Sequence, residues 1–504
     1  MMGGWRAWAG FTAMTAGMFL AILDIQVVAS SLIDIQLDLK IPGSRLSYLQ
    51  TTYLIAEVIA IALTGWLTRV MSTRWLFAAA MTGFVAASIC CAASTSYPML
   101  FAFRFVQGFF GGAVIPIIFS AAFLMFPPAR QPLATVIGGG FAMLAPTVGP
   151  YIGGWISEHL SWHWLFLINV APGLLVAVIA AVFVRYDKPD WKHAARLDVV
   201  ALGLIVFFLT SLELVLKEAP HRGLRDALTL GLGAACLMSG VGVVARCLRT
   251  TEPLVDFTVF RDRTFAIGAW FSFMLGMALF GAMYLLPLFL GYVRELGPLD
   301  IGTVMIVTGF AQLLTAPFAT IAEQRLPVRS LTAFGYALLA IGILWNAFAT
   351  HAWEYNELFG PQILRGVAFM LCLLPVTRLA LGQLPAARMA NASGLFNLIR
   401  NLGGAVGLAL IDTVIEVRSP HHVERIATQL QAGSRNMAAF VGLPLERFTG
   451  APLNVDDATK EILRPLIERA AAVASFNDAW MLLGILVAAS LLALPLTKQP
   501  NAAA

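Results

Sequence analysis

Apolar segments of about twenty residues recur along this chain from end to end, and that recurrence limits what it can fold into. Each is long enough to cross a ~30 Å hydrocarbon core as a helix. Of the 504 residues, 59% are hydrophobic and 12% charged, whereas a soluble domain is about 25% charged. The class is a polytopic helical membrane protein. Fourteen spans are expected, near 8–31, 47–67, 75–93, 99–122, 133–155, 163–184, 197–217, 227–247, 265–291, 300–320, 331–349, 358–381, 391–414 and 474–496. The apolar run after Arg6 resembles a signal peptide, but its length and the spans that follow make it an uncleaved first helix.

The net charge of +5 does not point to nucleic acid, because the basic residues cluster in short loops between spans. One set of alternate loops holds Arg69, Arg74, Arg130, Lys192, Arg196 and Arg388 among others; the short loops of the other set hold far fewer, Lys40, Arg45, Arg222, Arg225 and Arg294. This asymmetry places both termini in the cytoplasm. The five cysteines (Cys90, Cys91, Cys236, Cys247, Cys372) sit within or at the ends of apolar segments without a CxxC, as small core hydrophobes do. The seven histidines form no cluster with Asp or Cys at one face, so neither a metal site nor a membrane enzyme is expected; His421 and His422 are adjacent but lie in a polar stretch. No GxxxxGK[ST] sequence occurs, so ATP is not expected to supply the energy.

The chain repeats itself. "QGFFGGAVIPIIFSAAFLMFPPAR" from Gln107 aligns with "RGVAFMLCLLPVTRLALGQLPAAR" from Arg365, matching Gly108 to Gly366, Pro127 to Pro385 and Ala129–Arg130 to Ala387–Arg388. The same offset overlays the third span on the eleventh and the fifth on the thirteenth. The expected architecture is all-α: two parallel six-helix repeats with an inserted two-helix hairpin. The first half covers 1–184, the hairpin and its linkers 185–263, and the second half 264–504. Substrate would then lie between the halves near the midplane. The second half includes a polar segment, 415–473, in which Asp456 and Asp457 precede apolar residues at helical spacing, the mark of an amphipathic helix outside the membrane.

Several polar residues fall inside spans, where they are expensive and mark function or helix pairing. Asp24 lies about 7 residues, or ~10 Å, from the outer end of its span, and Arg104 is near the same depth. They form either a structural ion pair or a protonation switch in which desolvation and the arginine oppose each other. Glu57, midway along the second span, has no partner nearby in sequence and is either a hydrogen-bonded acid or a proton and cation carrier. Asn397, Arg400 and Asn401 make a polar patch at mid-depth in the thirteenth span, lining a substrate path or pairing helices. Glu213, Asp412 and Glu416 are expected to be solvated helix ends. The fifth span carries "APTVGPYIGG": Gly149 and Gly153 share a face on which another backbone can approach, and Pro150 removes a donor and bends the helix.

"APTVGPYIGG" resembles the Gly-x-x-x-Gly-Pro-x-x-Gly-Gly antiporter motif of major facilitator drug exporters, carried here by Gly149, Pro150, Gly153 and Gly154, with Ala145 in place of the first glycine. "LDIQVVASSLIDI" resembles the Leu-Asp-x-Thr-x-Val signature of the fourteen-span drug/proton antiporter branch, with Gln26 for the threonine. "RFVQGFFGG" resembles its Arg-x-x-Gln-Gly motif, which makes Gln107 a further substrate-path candidate. "SWHWLFLINVAPG", "EPLVDFTVFRDRTFAIG" and "NASGLFNLIRNLGGAVG" are similar to the same branch, and the nearest pattern is that of the EmrB-type permeases. The superfamily's Gly-x-Leu-x-Asp-Arg-x-Gly-Arg loop reads "GWLTRVMSTRW" here, with Arg69 where the aspartate belongs and Ser72 where the second glycine belongs.

The resemblance implies a secondary transporter of a bacterial inner membrane that needs no cofactor beyond the proton gradient. It would export lipophilic or amphiphilic compounds by alternating access, with Asp24, Glu57 and Arg104 in proton coupling. The partners implied are a periplasmic adaptor and an outer-membrane channel. The alternatives are an exporter of one metabolite (a siderophore, flavonoid or fatty acid) and, third, a proton-coupled importer. The loop charges predict that 185–196 and 248–263 face the cytoplasm and 415–473 the outside. Single cysteines in each segment, labelled on intact cells with an impermeant thiol reagent, should react only in 415–473; reaction within 248–263 overturns the topology.

Overall fold

The computed structural model describes residues 4–127, 130–191, 198–223, 225–250, 253–382, 384, 386–443 and 457–496. Lys192, Arg196, Ala129, Pro385 and Asp456 lie outside the described residues, as does the side chain of Arg388.

The described residues are helical throughout, with no strand among them. The first elements are α1 (Gly4–Ala29), α2 (Leu32–Asp38), α3 (Tyr48–Ala92), α4 (Tyr97–Met125), α5 (Gln131–His159), α6 (Trp164–Leu167) and α7 (Val170–Phe183). They are followed by α8 (Val199–Arg222), α9 (Ala227–Arg249), α10 (Arg263–Arg294), α11 (Pro298–Arg325) and α12 (Val328–Asn346). The last are α13 (Tyr355–Leu381), α14 (Ala386–Gln431), α15 (Arg435–Val441) and α16 (Asp457–Ser490). Their ends follow local chemistry. The side chains of Asp198, Asp226 and Asp262 accept first-turn backbone N–H groups of α8, α9 and α10, satisfying donors that a helix start leaves open. Proline stands in the first turn of α4, α5 and α11, where its missing N–H costs nothing. Glu354 and Glu357 form a reciprocal capping box on α13.

Twelve helices among the described residues are long and apolar enough to cross a membrane. Tyr48–Ala92 counts once among them although Ser72 divides it, with φ 68° and ψ 156°; α5 is not among the twelve. The helix order accommodates the fourteen expected spans. Ser72 holds the left-handed conformation that favours glycine, at the position where the superfamily loop has one. The helix that restarts after it is held by Asp187, which accepts from the Thr73 amide at 2.6 Å and the Thr73 hydroxyl at 2.7 Å. An acid from the segment after α7 thus anchors this loop, which has Arg69 where the superfamily motif has aspartate.

The far end of the chain departs from the sequence reading. The thirteenth span was expected to stop near 414, but α14 continues unbroken to Gln431. The helix that begins at Asp457 is no separate amphipathic element; it runs straight into the last span as α16. Their polar ends are joined by Asp478, which accepts from Arg418 Nε at 2.7 Å and lies 2.7 Å from His422 Nε2. Beyond that, Ile426, Leu430, Ala438, Val441 and Ala470 bury a small apolar core against α15. Hydrophobic positions on both helices continue to find partners past the membrane, which is why neither helix ends.

The membrane helices pack pairwise, α3 on α4, α10 on α14 and α12 on α13, while α8 and α9 lie mainly against each other and α8 also touches α14. Helix α5 lies between α1 and α11. A Cβ on Gly149 would strike Gln26 of α1, and one on Gly153 would strike the Val27 carbonyl. On the other side, Gly154 meets the backbone of Pro298, and Gly302 and Gly309 of α11 meet Pro150 and Thr147. The small residues of "APTVGPYIGG" therefore serve two neighbours at once, bringing three backbones into contact.

Candidate functional site

The site is built on the glycines of α4. Gly108 and Gly112 press against the α3 backbone at Tyr53 and Glu57, so that Gln107, beside Gly108, and Arg104, one turn before it, reach across to α1. Arg104 Nη1 lies 2.5 Å from Asp24 Oδ2, and both side chains are fully buried. Gln107 Nε2 donates to Asp24 Oδ1 at 2.9 Å, and its Oε1 accepts from Arg104 Nη1 at 2.8 Å. Asn169 Nδ2 donates to the same Asp24 Oδ1 at 2.7 Å. Arg104 Nε donates to the Leu49 carbonyl at 3.3 Å, Gln107 Nε2 also donates to Ser88 Oγ at 2.8 Å, and the guanidinium carbon sits 4.5 Å from the centre of the Tyr53 ring. A buried ion pair is costly unless its remaining polar atoms find partners; here four helical segments supply most of them, and Arg104 Nη2, which has no hydrogen-bond partner, belongs to the guanidinium that faces the Tyr53 ring.

The proximity of Asp24 and Arg104 expected from their depths is present. Gln107, expected along a substrate path, points into this cluster and is fully buried. Sequence reasoning missed Asn169 and Ser88. Asn169 reaches Asp24 because the expected sixth span is interrupted at Ile168–Asn169, between α6 and α7; its visible trace was a polar residue inside "LFLINVAPG".

Glu57 also has a partner that no local reading could supply. Asn401 Nδ2 of α14, 344 residues away, donates to Glu57 Oε1 at 2.8 Å, while Oε2 is buried without a hydrogen-bond partner. Tyr53, one turn before Glu57, stacks under Arg104 and donates its hydroxyl to the Ala21 carbonyl of α1 at 3.2 Å, linking the two polar centres through α3. On α14, Asn397 donates to the Ser393 carbonyl at 3.0 Å; the Arg400 guanidinium lies over Phe396, and its Nε has no partner.

One end of the molecule is closed around these centres and the other is open. At the closed end, Asp412 accepts from Tyr284 at 2.8 Å and from Ser47, and Tyr292 donates to Gln36. Asp412 is thus a cross-link between α10, α14 and the start of α3, not the solvated end expected of it. Gly291 packs on Ile33 at the same level. At the opposite end, a cavity of about 680 Å³ opens between α3, α4, the 247–258 segment and α14, with Ile61, Thr64, Arg69, Ile117, Leu395 and Leu398 in its walls. Glu57 and Asn401 lie one turn beyond Ile61 and Leu398, at the cavity's inner end. A bridge between the second- and thirteenth-span regions thus sits between the open cavity and the closed end.

The profile of the Major Facilitator Superfamily matches residues 14–408. The chain belongs to that superfamily. The transporter is 36% identical over 482 residues to the colistin resistance protein EmrB of Acinetobacter baumannii, covering 95% of this chain and 94% of that one. It is 27% identical over 480 residues to the multidrug export protein EmrB of Escherichia coli K12, covering 94% and 92%. A bacterial homologue of the human lysosomal transporter Spinster, solved in an inward-facing and occupied conformation, shares the fold at a TM-score of 0.67 and 13% identity over the full length of both chains. The transporter is a multi-pass membrane protein.

The cluster makes a stability prediction. Replacing Asp24 with leucine strands Arg104 in the interior and should cost the transporter about 3–5 kcal/mol, the usual penalty for one half of a buried pair. The Asp24→Leu, Arg104→Leu double variant should recover most of that loss in thermal unfolding of the detergent-solubilised protein. A double variant no more stable than the single one would show that the pair does not hold α1 on α4.

Proposed function

We propose that this transporter exports lipophilic or amphiphilic compounds across the bacterial inner membrane in exchange for protons, by rocking of two six-helix halves, 1–184 and 264–504, around the inserted segment 185–263. The fourteen-span arrangement, with both termini cytoplasmic, is part of that reading. The observation that carries it is the Glu57–Asn401 hydrogen bond: a buried carboxyl in one half holds the other half, at the boundary between an open cavity and a closed end. Likeness over nearly the whole chain to a colistin resistance protein and a multidrug export protein supports export as the direction and drugs among the substrates. With the 680 Å³ cavity on the cytoplasmic side, the conformation described is inward-open.

Asp24 and Glu57 are the proton-coupling acids in this proposal, and Arg104 sets the charge balance around Asp24. An ionised Asp24 is held by Arg104, Gln107 and Asn169; a protonated one releases the arginine and loosens α1 from α4. Glu57 alternates between a proton and a cationic substrate. Asn397, Arg400 and Asn401 line the path on the α14 side, and the Gly149–Gly154 stretch is the surface on which the halves turn. In proteoliposomes, Asp24→Asn should abolish export driven by a pH gradient and reduce substrate-induced proton release, while Glu57→Gln should act more mildly or on cations selectively. Full gradient-driven transport by the double variant would leave both acids as structural groups.

The permease is proposed to work with a periplasmic adaptor and an outer-membrane channel, the adaptor docking on segment 415–473. The extension of α14 and α16 beyond the spans, with its own apolar core, exceeds what joining two helices requires. Replacing 425–465 with a short Gly/Ser linker should preserve membrane insertion and weaken co-purification with the adaptor. Undiminished co-purification would make the extension a cap on the permease itself.

A further inference from the structure

The second half of the chain holds a buried arginine with no acid beside it among the described residues. Arg365, on α13, is 6% exposed, its Nη1 has no hydrogen-bond partner, and no acid pairs with it among the described residues. Its guanidinium carbon lies 5.7 Å from the centre of the buried Trp480 ring. A lone cation in such a place is costly unless something of opposite charge joins it.

The internal repeat shows what is missing. The offset that carries Gly108 onto Gly366 places Gln107 on Arg365, Arg104 on Gln362 and Asp24 on Ala282. The structure supports this register, since Gly108 presses on Tyr53 of α3 and Gly366 on Ala311 of α11, the residue that the same offset assigns to Tyr53, with the Thr308 carbonyl one turn earlier also in contact. Arginine and glutamine have exchanged places, and the aspartate has become an alanine. A cavity of about 40 Å³ lies there, with Ala282, Arg365, Thr308, Gln312, Met283 and Phe369 in its wall. At roughly 10–15 Å³ per water-sized group, it has room for a carboxylate.

We propose that this cavity is a subsite for the acidic head of an amphiphilic substrate, a carboxylate or a group of like charge and size. Arg365 does for the ligand's acid what Arg104 does for Asp24. Gln312, 4% exposed, adds polar donors, and Gln362 is buried nearby with its Nε2 unpartnered. Met283, Met305 and Phe369 meet the first carbons of the tail with soft, adaptable surfaces. Pro146 and Pro150 of α5 close the cavity from the other half, so a bound anion touches both sides of the moving boundary. The inference rests on the export of amphiphiles proposed above and adds acids to the cations that Glu57 would take.

Calorimetry on the intact transporter in nanodiscs of zwitterionic lipid tests it, with dodecanoate, dodecanol and dodecyltrimethylammonium as probes. Dodecanoate should bind, and Arg365→Gln should weaken that binding about tenfold or more, as expected for a lost charged hydrogen-bond partner, leaving the other two probes unchanged. Ala282→Asp supplies the missing counter-ion from within; it should block dodecanoate equally while raising the unfolding temperature, so that a folding defect in the first variant cannot imitate the result. Undetectable dodecanoate binding to the wild type, or equal binding by all three proteins, overturns the subsite. Competition by phosphatidylglycerol added to the nanodiscs assigns the cavity to a lipid head and overturns it too, whereas no competition supports a substrate. Export of a cationic dye by wild type and Arg365→Gln alike leaves the export reading intact whatever the anion result; a wild type that exports no amphiphile refutes that reading instead.

Discussion

A full charge inside a low-dielectric interior must be matched, and in this transporter the match at Asp24 fixes where several helices stand. Membrane helices that are apolar on every side have little to set their register, because one apolar contact is much like another. Asp24 removes that freedom. Its two oxygens receive Arg104, Gln107 and Asn169, and the donors are themselves held by Leu49, Ser88 and Tyr53. A slip of one turn in α1 or α4 would strand a charge, and one in α3 or at the α6–α7 break would strip a polar partner from the pair. The cluster works as a registration pin for the first half of the chain.

The second ordering principle is close approach. The glycines of α4 bring Tyr53 and Glu57 to the right depth, and those of α5 and α11 bring the two halves together with little side-chain volume between them. Polar bonds then distinguish the ends. Tyr284, Asp412 and Ser47 gather at one end, while a large cavity separates α3 from α14 at the other. Between them stand the Glu57–Asn401 hydrogen bond and a second link across the halves, from the Thr147 hydroxyl to the Gly309 carbonyl at 3.1 Å.

How much of this was legible in the sequence depended on the range of the interaction. Spans were legible because hydrophobic length is local. Asp24 and Arg104 could be brought together on paper because both lie a countable number of residues from the same membrane face. The partnership of Glu57 with Asn401 was not legible, since two mid-depth polar residues in different halves share no local pattern. Asn169 escaped because the helix break that aims it at Asp24 lies within an otherwise uniform apolar run. Asp412 misled for the opposite reason: an acid near a span end looks solvated until Tyr284 and Ser47 are seen to face it. The continuation of α14 past 414 was hidden because hydropathy reports where lipid ends, not where a helix does.

That continuation has a mechanical consequence. From Asn401, where α14 holds Glu57, the helix runs another thirty residues to Gln431, about 45 Å at 1.5 Å per residue. Asp478 clamps its middle to α16, and the apolar core at Ile426 and Leu430 clamps its tip. A helix braced in this way is a long lever arm with its short end at the polar link. In the proposed cycle, any tilt that follows the parting of Glu57 and Asn401 would be multiplied along the arm, so that an event the size of one hydrogen bond would become a swing of several ångströms at the far end of the helix.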